Sequence, residues 1–397
     1  MEKPAICGGT PVREHKIYYA HQFVDDQDIQ AVVEALKSDY LTCGPKIAKL
    51  EKKLCEITGA RYAVVCSNGT AALHIACMVA GVGPGDEVIT TPITFAASAN
   101  CALYCGAKPV FADIRDTTYN IDPGKVKALT TSKTKAVVAV DFTGQSVELE
   151  ELLKHCKEKG ICLIEDGAHV IGTKYKGTPN GSIADLTTLS FHPVKTVTGG
   201  EGGAVLTNSE EYYKKLLLAR SHGITREVSQ MEEEPHGDWY YEQISLGYNY
   251  RMTDIQAALL ISQLDKLPLF SKRRKEIVKR YDEAFSKLPQ LQRQEEIPQS
   301  DTTRHLYILR LRPQLMKLNR KEMFQALAAE NIICNVHYIP IYYFPYYRSL
   351  GYEKGLCPVA EKLYEEMLSL PLYYGMTDQD VEDVIAAVEK IVNYYKK

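Results

Sequence analysis

The stretch TKAVVAVDFTGQSVELEELLKHCKEKGICLIED, residues 134–166, contains two apolar runs on either side of a charged helical pattern. The runs at 134–142 and 161–166 are rich in Val and Ile, as buried strands are, and the segment between them repeats its apolar residues at helical spacing. This order of elements predicts two parallel strands joined by a crossover helix.

Similar runs extend outward from this unit in both directions. They are YAVVCS (62–67), EVITT (87–91), KPVFADI (108–114), LTTLSF (186–191) and GGAVLT (202–207), and helical patterns such as TAALHIACMVAGV separate them. The alternation predicts an α/β fold, in which a mostly parallel sheet is covered by helices on both faces.

The pattern changes near residue 250. TDIQAALLISQLDKL leads into the charged amphipathic segment SKRRKEIVKRYDEAFSKL, and shorter mixed elements follow to the end of the chain. We therefore expect a large domain over residues 1–250, including an N-terminal arm, and a smaller α+β domain over 251–397.

Composition and charge exclude several classes of protein. The 397 residues are 45% hydrophobic, and the formal net charge of -3 gives no basic field for nucleic acid or a membrane surface. The N-terminus lacks the apolar core of a signal peptide and no stretch reaches the length of a membrane span, so we expect a cytoplasmic protein. The 11 cysteines form no disulfide framework or metal-ligand spacing, so we expect reduced thiols and no metal.

Polar residues follow three of the predicted strands, where ligands of open α/β sheets bind. Residues 67–70, SNGT, lie between a strand and a helix and can form an anion site, although an ordinary helix cap with a turn glycine is the more usual explanation of such a stretch taken alone. Asp166 ends an apolar strand, and the alternative there is a structural salt bridge or cap. In SFHPVKTVTGGEGG (190–203), Lys195 follows Ser190 at a strand end, and the alternative is a solvated surface lysine.

Together, an anion site, a strand-end carboxylate and a lysine meet the needs of pyridoxal phosphate. Its phosphate needs an anion site, its ring nitrogen needs a carboxylate to stay protonated, and its aldehyde forms a Schiff base with a lysine. The combination predicts that Lys195 is that lysine and Asp166 that carboxylate.

Six segments of the chain resemble the DegT-type nucleotide-sugar aminotransferases, which have the aspartate aminotransferase fold, fold type I of the pyridoxal phosphate enzymes. The segments are SNGTAAL (67–73), DEVITTPITFAASANCALYCGAKPVFADI (86–114), IEDGAH (164–169), SFHPVKTVTGGEGGAV (190–205), SHGI (221–224) and LGYNYRMTDIQAAL (246–259).

The resemblance implies a role for each matching residue. His169 lies beside the cofactor ring and its phenolic oxygen, and Phe95 stacks on the ring. Phosphate ligands would be Gly69, Thr70 and Ser190.

The resemblance also implies a homodimer with shared active sites, because Asn249 matches an asparagine that reaches the phosphate of the neighbouring subunit's cofactor. Glutamate is the amino donor that the family implies. Lys195, once released from the cofactor, would then act as the general base.

The resemblance identifies the substrate less closely than it identifies the cofactor. SFHPVK and SHGI are similar to family members that aminate C4 of a UDP-linked 4-keto-6-deoxy-N-acetylhexosamine on the way to pseudaminic acid, while other members act on 3-keto or 4-keto sugars carried by dTDP, GDP or UDP. The aromatic stretch NVHYIPIYYFPYY (335–347) is a candidate nucleotide-sugar surface through His337 and Tyr338, unless it is only a core segment. Arg226 and Arg251 are candidates for the diphosphate.

Three other functions compete with this interpretation. Relatives that carry a histidine in place of the lysine are dehydratases, and Lys195 argues against that activity. A non-catalytic regulator that binds the cofactor or an amino sugar stays open. An amino-acid-specific aminotransferase would need a dedicated arginine for a carboxylate, and none is identifiable in the sequence.

Overall fold

A computed structural model describes residues 2–397. Its helices are α1 (Asp26–Leu36), α2 (Pro45–Thr58), α3 (Gly69–Val79), α4 (Ala97–Tyr104), α5 (Pro123–Leu129), α6 (Leu149–Lys159), α7 (Glu210–Arg220), α8 (Asp254–Asp265), α9 (Leu267–Phe285), α10 (Arg320–Ala329), α11 (Pro345–Ser349), α12 (Pro358–Glu366) and α13 (Asp378–Tyr395).

The strands are mostly short. They are β1 (Ile17–Tyr18), β2 (Tyr62–Cys66), β3 (Glu87–Thr90), β4 (Lys108–Phe111), β5 (Thr134–Val140), β6 (Cys162–Asp166), β7 (Lys174–Tyr175), β8 (Thr178–Pro179), β9 (Leu186–Ser190), β10 (Gly203–Thr207), β11 (Ile224–Thr225), β12 (Glu242–Gln243), β13 (Leu291–Arg293), β14 (Ser300–Asp301), β15 (Tyr307–Leu311), β16 (Ile332–Ile333) and β17 (Met367–Leu370).

The main sheet has seven strands in the order β2-β10-β9-β6-β5-β3-β4. Six of them run parallel, and β10 runs antiparallel to its neighbours β2 and β9. Every apolar run that the sequence marked between residues 62 and 207 contributes a strand to this sheet. The prediction of a mostly parallel α/β sheet is therefore confirmed.

Helices cover both faces of the main sheet. Adjacent residues of a strand point to opposite faces, so Val64 packs with α3, α4 and α7 while Val65 packs with α2 and α8. On the second face, α5 and α6 cover the strands β3, β5 and β6. This two-sided burial explains why the strands read as continuous apolar runs rather than alternating ones.

A smaller substructure follows in the chain. The antiparallel sheet β13-β15-β17 packs with α9, α10 and α13 around a separate apolar cluster. The segment around β1 joins this substructure, because Ile17 and Tyr18 pair with Ile332 and Ile333 in β16. By contrast, α8 packs against α2 on the main sheet. The domain boundary at residues 250 and 251 stays a prediction.

Over residues 2–397, the structure contains no helix with the length and apolar character needed to cross a membrane.

Candidate active site

A cavity of about 1120 Å³ opens where the parallel strands of the main sheet end. Most of its lining comes from the first half of α3, the segment 95–98 at the start of α4, the ends of β6 and β9 with the turns that follow, and the segment 335–338. Tyr19, Tyr248 and Tyr250 also line it. The predicted residues in its lining are Gly69, Thr70, Phe95, Asp166, Ser190, Lys195, His337 and Tyr338.

Lys195 lies in the turn that follows β9, where its backbone N–H donates to the carbonyl of His192 over 2.9 Å. Burial lowers the pKa of Lys195 from its ordinary value of 10.5 to about 8, and the carboxylate of Asp166 opposes this change. About a tenth of the amine is thus neutral at pH 7, and the neutral amine is the form that a nucleophile or general base requires.

Asp166 is the last residue of β6 and is buried. Its Oδ2 accepts a hydrogen bond from Ser98 Oγ at 2.6 Å, and its Oδ1 accepts one from the backbone N–H of Ala168 at 3.2 Å. Burial raises the pKa of Asp166, whereas these two hydrogen bonds and the charge of Lys195 act in the opposite direction. A cationic N–H in the cavity would favour the ionised carboxylate further.

His169 is buried behind the cavity in the turn after β6. Its Nε2 lies 3.4 Å from the hydroxyl of Tyr338, and its ring centroid lies 4.4 Å from that of His305. Burial holds the pKa of His169 well below its ordinary value, so the imidazole is neutral. Its Nδ1 is buried and has no hydrogen-bond partner within residues 2–397.

The start of α3 forms an anion cradle. Asn68 caps the helix by accepting the backbone N–H of Ala71 over 2.8 Å. The earlier N–H groups of the first turn, those of Gly69 and Thr70, have no partner within the helix and belong to residues that line the cavity. A Cβ on Gly69 would lie 2.8 Å from the Cβ of Ser190. Only glycine therefore allows β9 to approach the helix terminus this closely.

These features fit pyridoxal phosphate on structural grounds. The cradle at Gly69, Thr70 and Ser190 suits its phosphate, the buried carboxylate of Asp166 suits its ring nitrogen, and the amine of Lys195 suits its aldehyde. Phe95 lies at the cavity with 65% of its surface exposed, its ring centroid 6.5 Å from that of Tyr338. The exposed ring is therefore open to stacking by a planar group.

Besides His169, three predicted residues do not line the cavity. The backbone of Asn249 forms an isolated β-bridge with Ser221, and the guanidinium of Arg226 lies 5.3 Å from the ring centroid of Tyr241. Arg251 is half-buried. Their roles toward a cofactor or substrate stay predictions.

Sequence reasoning missed several residues at the cavity. Ser98 was not singled out from the sequence. It follows Thr94 by four residues, about one helical turn, in the segment TFAAS. His74 was also missed; its Nδ1 lies 3.1 Å from the hydroxyl of Tyr250, within an aromatic group that includes Tyr104 and Tyr248. Within residues 2–397, the structure groups no three His, Cys, Asp or Glu side chains as a metal site.

Comparisons with known proteins agree with this geometry. The DegT/DnrJ/EryC1/StrS aminotransferase family matches residues 22–389. The spore coat polysaccharide biosynthesis protein SpsC of Bacillus subtilis is 42% identical over 382 residues, which are 96% of this chain and 98% of that protein.

A second relative is the UDP-4-amino-4,6-dideoxy-N-acetyl-beta-L-altrosamine transaminase of Campylobacter jejuni. It is 40% identical over 384 residues, 96% of this chain and 99% of that one. Among solved structures, the sugar aminotransferase Spr1654 of Streptococcus pneumoniae in its PLP-form superposes with a TM-score of 0.89 at 32% identity, over 96% of this chain and 99% of that one.

Proposed function

Because this chain belongs to the DegT/DnrJ/EryC1/StrS aminotransferase family and is a pyridoxal phosphate-dependent aminotransferase of nucleotide sugars, we propose a specific reaction for it. The protein transfers the amino group of glutamate to C4 of a UDP-linked 4-keto-6-deoxy-N-acetylhexosamine. The relative from Campylobacter jejuni, whose name specifies a UDP-linked amino sugar, supports this choice of carrier and position.

The observation that carries the proposal is the pairing of Lys195 and Asp166 in one cavity. Burial lowers the pKa of Lys195 to about 8 and raises that of Asp166. The amine is thereby available as a base close to neutral pH, while the carboxylate favours a cationic partner.

The chain contributes binding, orientation and proton transfer to this reaction. The N–H groups at the start of α3 and the hydroxyls of Thr70 and Ser190 bind the phosphate. Asp166 holds a proton on the ring nitrogen, and Lys195 Nζ moves a proton from the α-carbon of the amino donor. Bound pyridoxal phosphate supplies the electron sink that makes this α-carbon acidic.

His337 and Tyr338, which line the cavity from the segment 335–338, offer polar groups to the substrate. The ring nitrogen Nδ1 of His337 lies 2.8 Å from Ser369 Oγ, and burial lowers the pKa of His337 to about 4. A neutral imidazole in this position acts as a hydrogen-bond donor or acceptor for a sugar hydroxyl rather than as a charge.

The protein acts as a homodimer with shared active sites in this proposal. Support comes from the segment 228–246, in which Val228, Trp239 and Leu246 are 65%, 72% and 71% exposed. Apolar side chains exposed to this extent over one segment are typical of a surface that a partner covers. Asn249, which follows this segment, would then act in the neighbouring cavity.

The amino donor and the sugar nucleotide are small molecules, and the proposed reaction involves neither nucleic acid nor a membrane. The cytoplasm is the compartment that we propose for it.

The proposed reaction is tested by two half-reactions with the purified protein. Glutamate should convert the visible absorbance band of the bound cofactor to that of the amine form, and the UDP-linked 4-keto sugar should restore the band with release of an amino sugar identified by mass spectrometry. Lys195→Ala is the matched control and should do neither.

The same experiment separates the alternatives. Conversion by glutamate followed by turnover only with a dTDP-linked or GDP-linked keto sugar would contradict the UDP assignment. A bound cofactor that responds to neither glutamate nor any keto sugar would favour a regulator.

The shared site is tested by mixing variants. Lys195→Ala and Asn249→Ala chains, each inactive, should regain activity when they are refolded together, because one site of the mixed dimer then carries neither substitution. If the two variants carry different affinity tags and purify together as mixed dimers, a mixture that stays inactive would contradict the sharing of sites.

A further inference from the structure

A chain of two buried hydroxyl groups ends at Asp166. Thr94 Oγ1 lies 2.7 Å from Ser98 Oγ, and Ser98 Oγ lies 2.6 Å from Asp166 Oδ2. Thr94, Ser98 and Asp166 are only 2%, 1% and 4% exposed. The chain is therefore shielded from competing water over its whole length.

The direction of these hydrogen bonds follows from the chemistry of the groups. An ionised carboxylate only accepts, so the single proton of Ser98 points to Asp166. Ser98 Oγ then accepts from Thr94, and each donor polarises the next. The hydroxyl groups converge because Thr94 lies in the loop that follows β3, while Ser98 lies in the first turn of α4.

We propose that Ser98 is a positioning residue that keeps Asp166 ionised and fixed in orientation for the ring nitrogen of the cofactor, and that Thr94 acts through Ser98. The inference rests on the proposed function only in assigning that nitrogen to Asp166. Neither hydroxyl needs to touch the cofactor for this role.

The physical need for such a group is evident at the site. Burial raises the pKa of Asp166, and the hydrogen bond from Ser98 is the largest of the influences that lower it. A carboxyl group that became protonated would lose its preference for a cationic N–H. Ser98 thus opposes the effect of burial at the atom where the ionised form is required.

The expected consequence is a weaker hold on the cofactor. A hydrogen bond to a charged group corresponds to about tenfold to hundredfold in an equilibrium constant, so Ser98→Ala should raise the dissociation constant of pyridoxal phosphate by that factor. Without Ser98, Asp166 should also become protonated at a higher pH. Protonation of Lys195 weakens cofactor binding below about pH 8 in both proteins. The further loss of affinity that accompanies protonation of Asp166 should begin at a higher pH in the variant than in the parent protein.

Thr94→Val provides a test of the order of the chain. In the parent background it should weaken cofactor binding by a smaller factor, about threefold to tenfold, because a neutral hydrogen bond is the weaker kind. In the Ser98→Ala background it should have no further effect, since its influence passes through Ser98. Equal effects in both backgrounds would overturn the relay.

Thr90→Val is the matched control. Thr90 is buried near the end of β3 and donates to the carbonyl of Val138 over 2.9 Å, with no bond to Asp166. The Thr90→Val variant loses a buried hydroxyl of the same kind. Its affinity for pyridoxal phosphate and the pH dependence of that affinity should nevertheless match those of the parent protein. A shift of the pH profile equal to that of Ser98→Ala would show that any buried hydroxyl suffices, and would overturn the proposal.

The measurement is a titration of the cofactor-free full-length proteins with pyridoxal phosphate between about pH 5 and pH 9, followed by visible absorbance and by the fluorescence of Trp239, the single tryptophan of the chain. Thermal unfolding of each cofactor-free variant verifies its fold. Should Ser98→Ala fail to fold, Thr94→Val must still shift the pH profile upward, and an unshifted profile overturns the inference.

The experiment distinguishes a failure of this inference from a failure of the proposed function. If Ser98→Ala binds the cofactor as the parent does while Asp166→Ala does not, the inference is wrong and the proposed function stands. If the parent protein itself binds no pyridoxal phosphate, the proposed function and the inference fail together.

Discussion

The two walls of the cavity differ in how they treat charge. On the sheet wall, Asp166 and Lys195 lie close enough for each to affect the pKa of the other. On the wall formed by the segment 335–338, burial is the main cause that keeps both polar residues neutral: it lowers the pKa of His337 to about 4 and raises that of Tyr338, and the charges of Lys195 and Asp166 act in the same directions. The difference suggests that charged chemistry is confined to the sheet wall and that the other wall recognises its ligand by shape and neutral hydrogen bonds.

The largest effect on activity is expected when the amine is removed from the sheet wall. Lys195→Ala should lower the rate of amino transfer by at least about 10⁴-fold, because it removes both the covalent anchor and the general base. The rate is measured as glutamate-dependent product formation, with the soluble fraction and unfolding temperature as a check on the fold. A loss of less than tenfold would move the chemistry to another residue.

Asp166→Asn tests the carboxylate at nearly constant volume. We expect about 10²-fold to 10³-fold lower turnover, since the amide can accept a hydrogen bond but cannot stabilise a cationic ring nitrogen by charge. The matched control is Glu165→Gln, one residue earlier in β6, whose carboxylate accepts from Asn180 and Thr187 on the other side of the strand. If both variants lose the same activity, the effect is general to β6 and not specific to Asp166.

The pH dependence of cofactor uptake sharpens the description of the sheet wall. Only the neutral amine attacks an aldehyde, and the pKa of Lys195 lies near 8 rather than 10.5. The uptake rate of the cofactor-free protein should therefore rise about tenfold per pH unit below pH 8 and level off above it. Stopped-flow absorbance follows the rate, and a rise that continued to pH 10 would show an ordinary exposed lysine.

The smallest effect is expected on the neutral wall. Tyr338→Phe removes a hydroxyl that lies 3.4 Å from His169 Nε2, a long contact, so the KM for the sugar nucleotide should rise by less than about tenfold. The visible absorbance band of the bound cofactor should not change. A shifted band would instead place Tyr338 in the electronic surroundings of the cofactor, and the contrast between the two walls would not hold.

What the sequence predicted at this site depended on local patterns. Asp166 ends a strand with an apolar run, Lys195 follows another strand by five residues, and the start of α3 carries its own capping residue. Each position was therefore visible in the sequence, although only their combination pointed to the cofactor. The main sheet was predictable for the same reason. The resemblance to a family then supplied roles that no single pattern assigns, such as that of Phe95.

The rest depended on contacts between distant segments. Ser98 reaches Asp166 across 68 positions and His305 packs on His169 from beyond α9, and neither carries a local signal. The pairing of β1 with β16 was equally invisible, because strands of two residues are too short to show a periodicity.

The contacts between the N-terminal segment and the region around residue 330 have a consequence for folding during translation. The backbone N–H of Ala5 donates to Glu330 Oε1, a partner 325 positions later, which a ribosome reaches about 16 to 65 seconds after Ala5. The seven-stranded sheet can assemble on the emerging polypeptide during that interval. The segment before α1 cannot form its contacts until Glu330 and β16 have been synthesised. Translation that stopped before Glu330 would release a product with its main sheet complete and residues 2–20 not held to the rest of the chain, where proteases could cleave them.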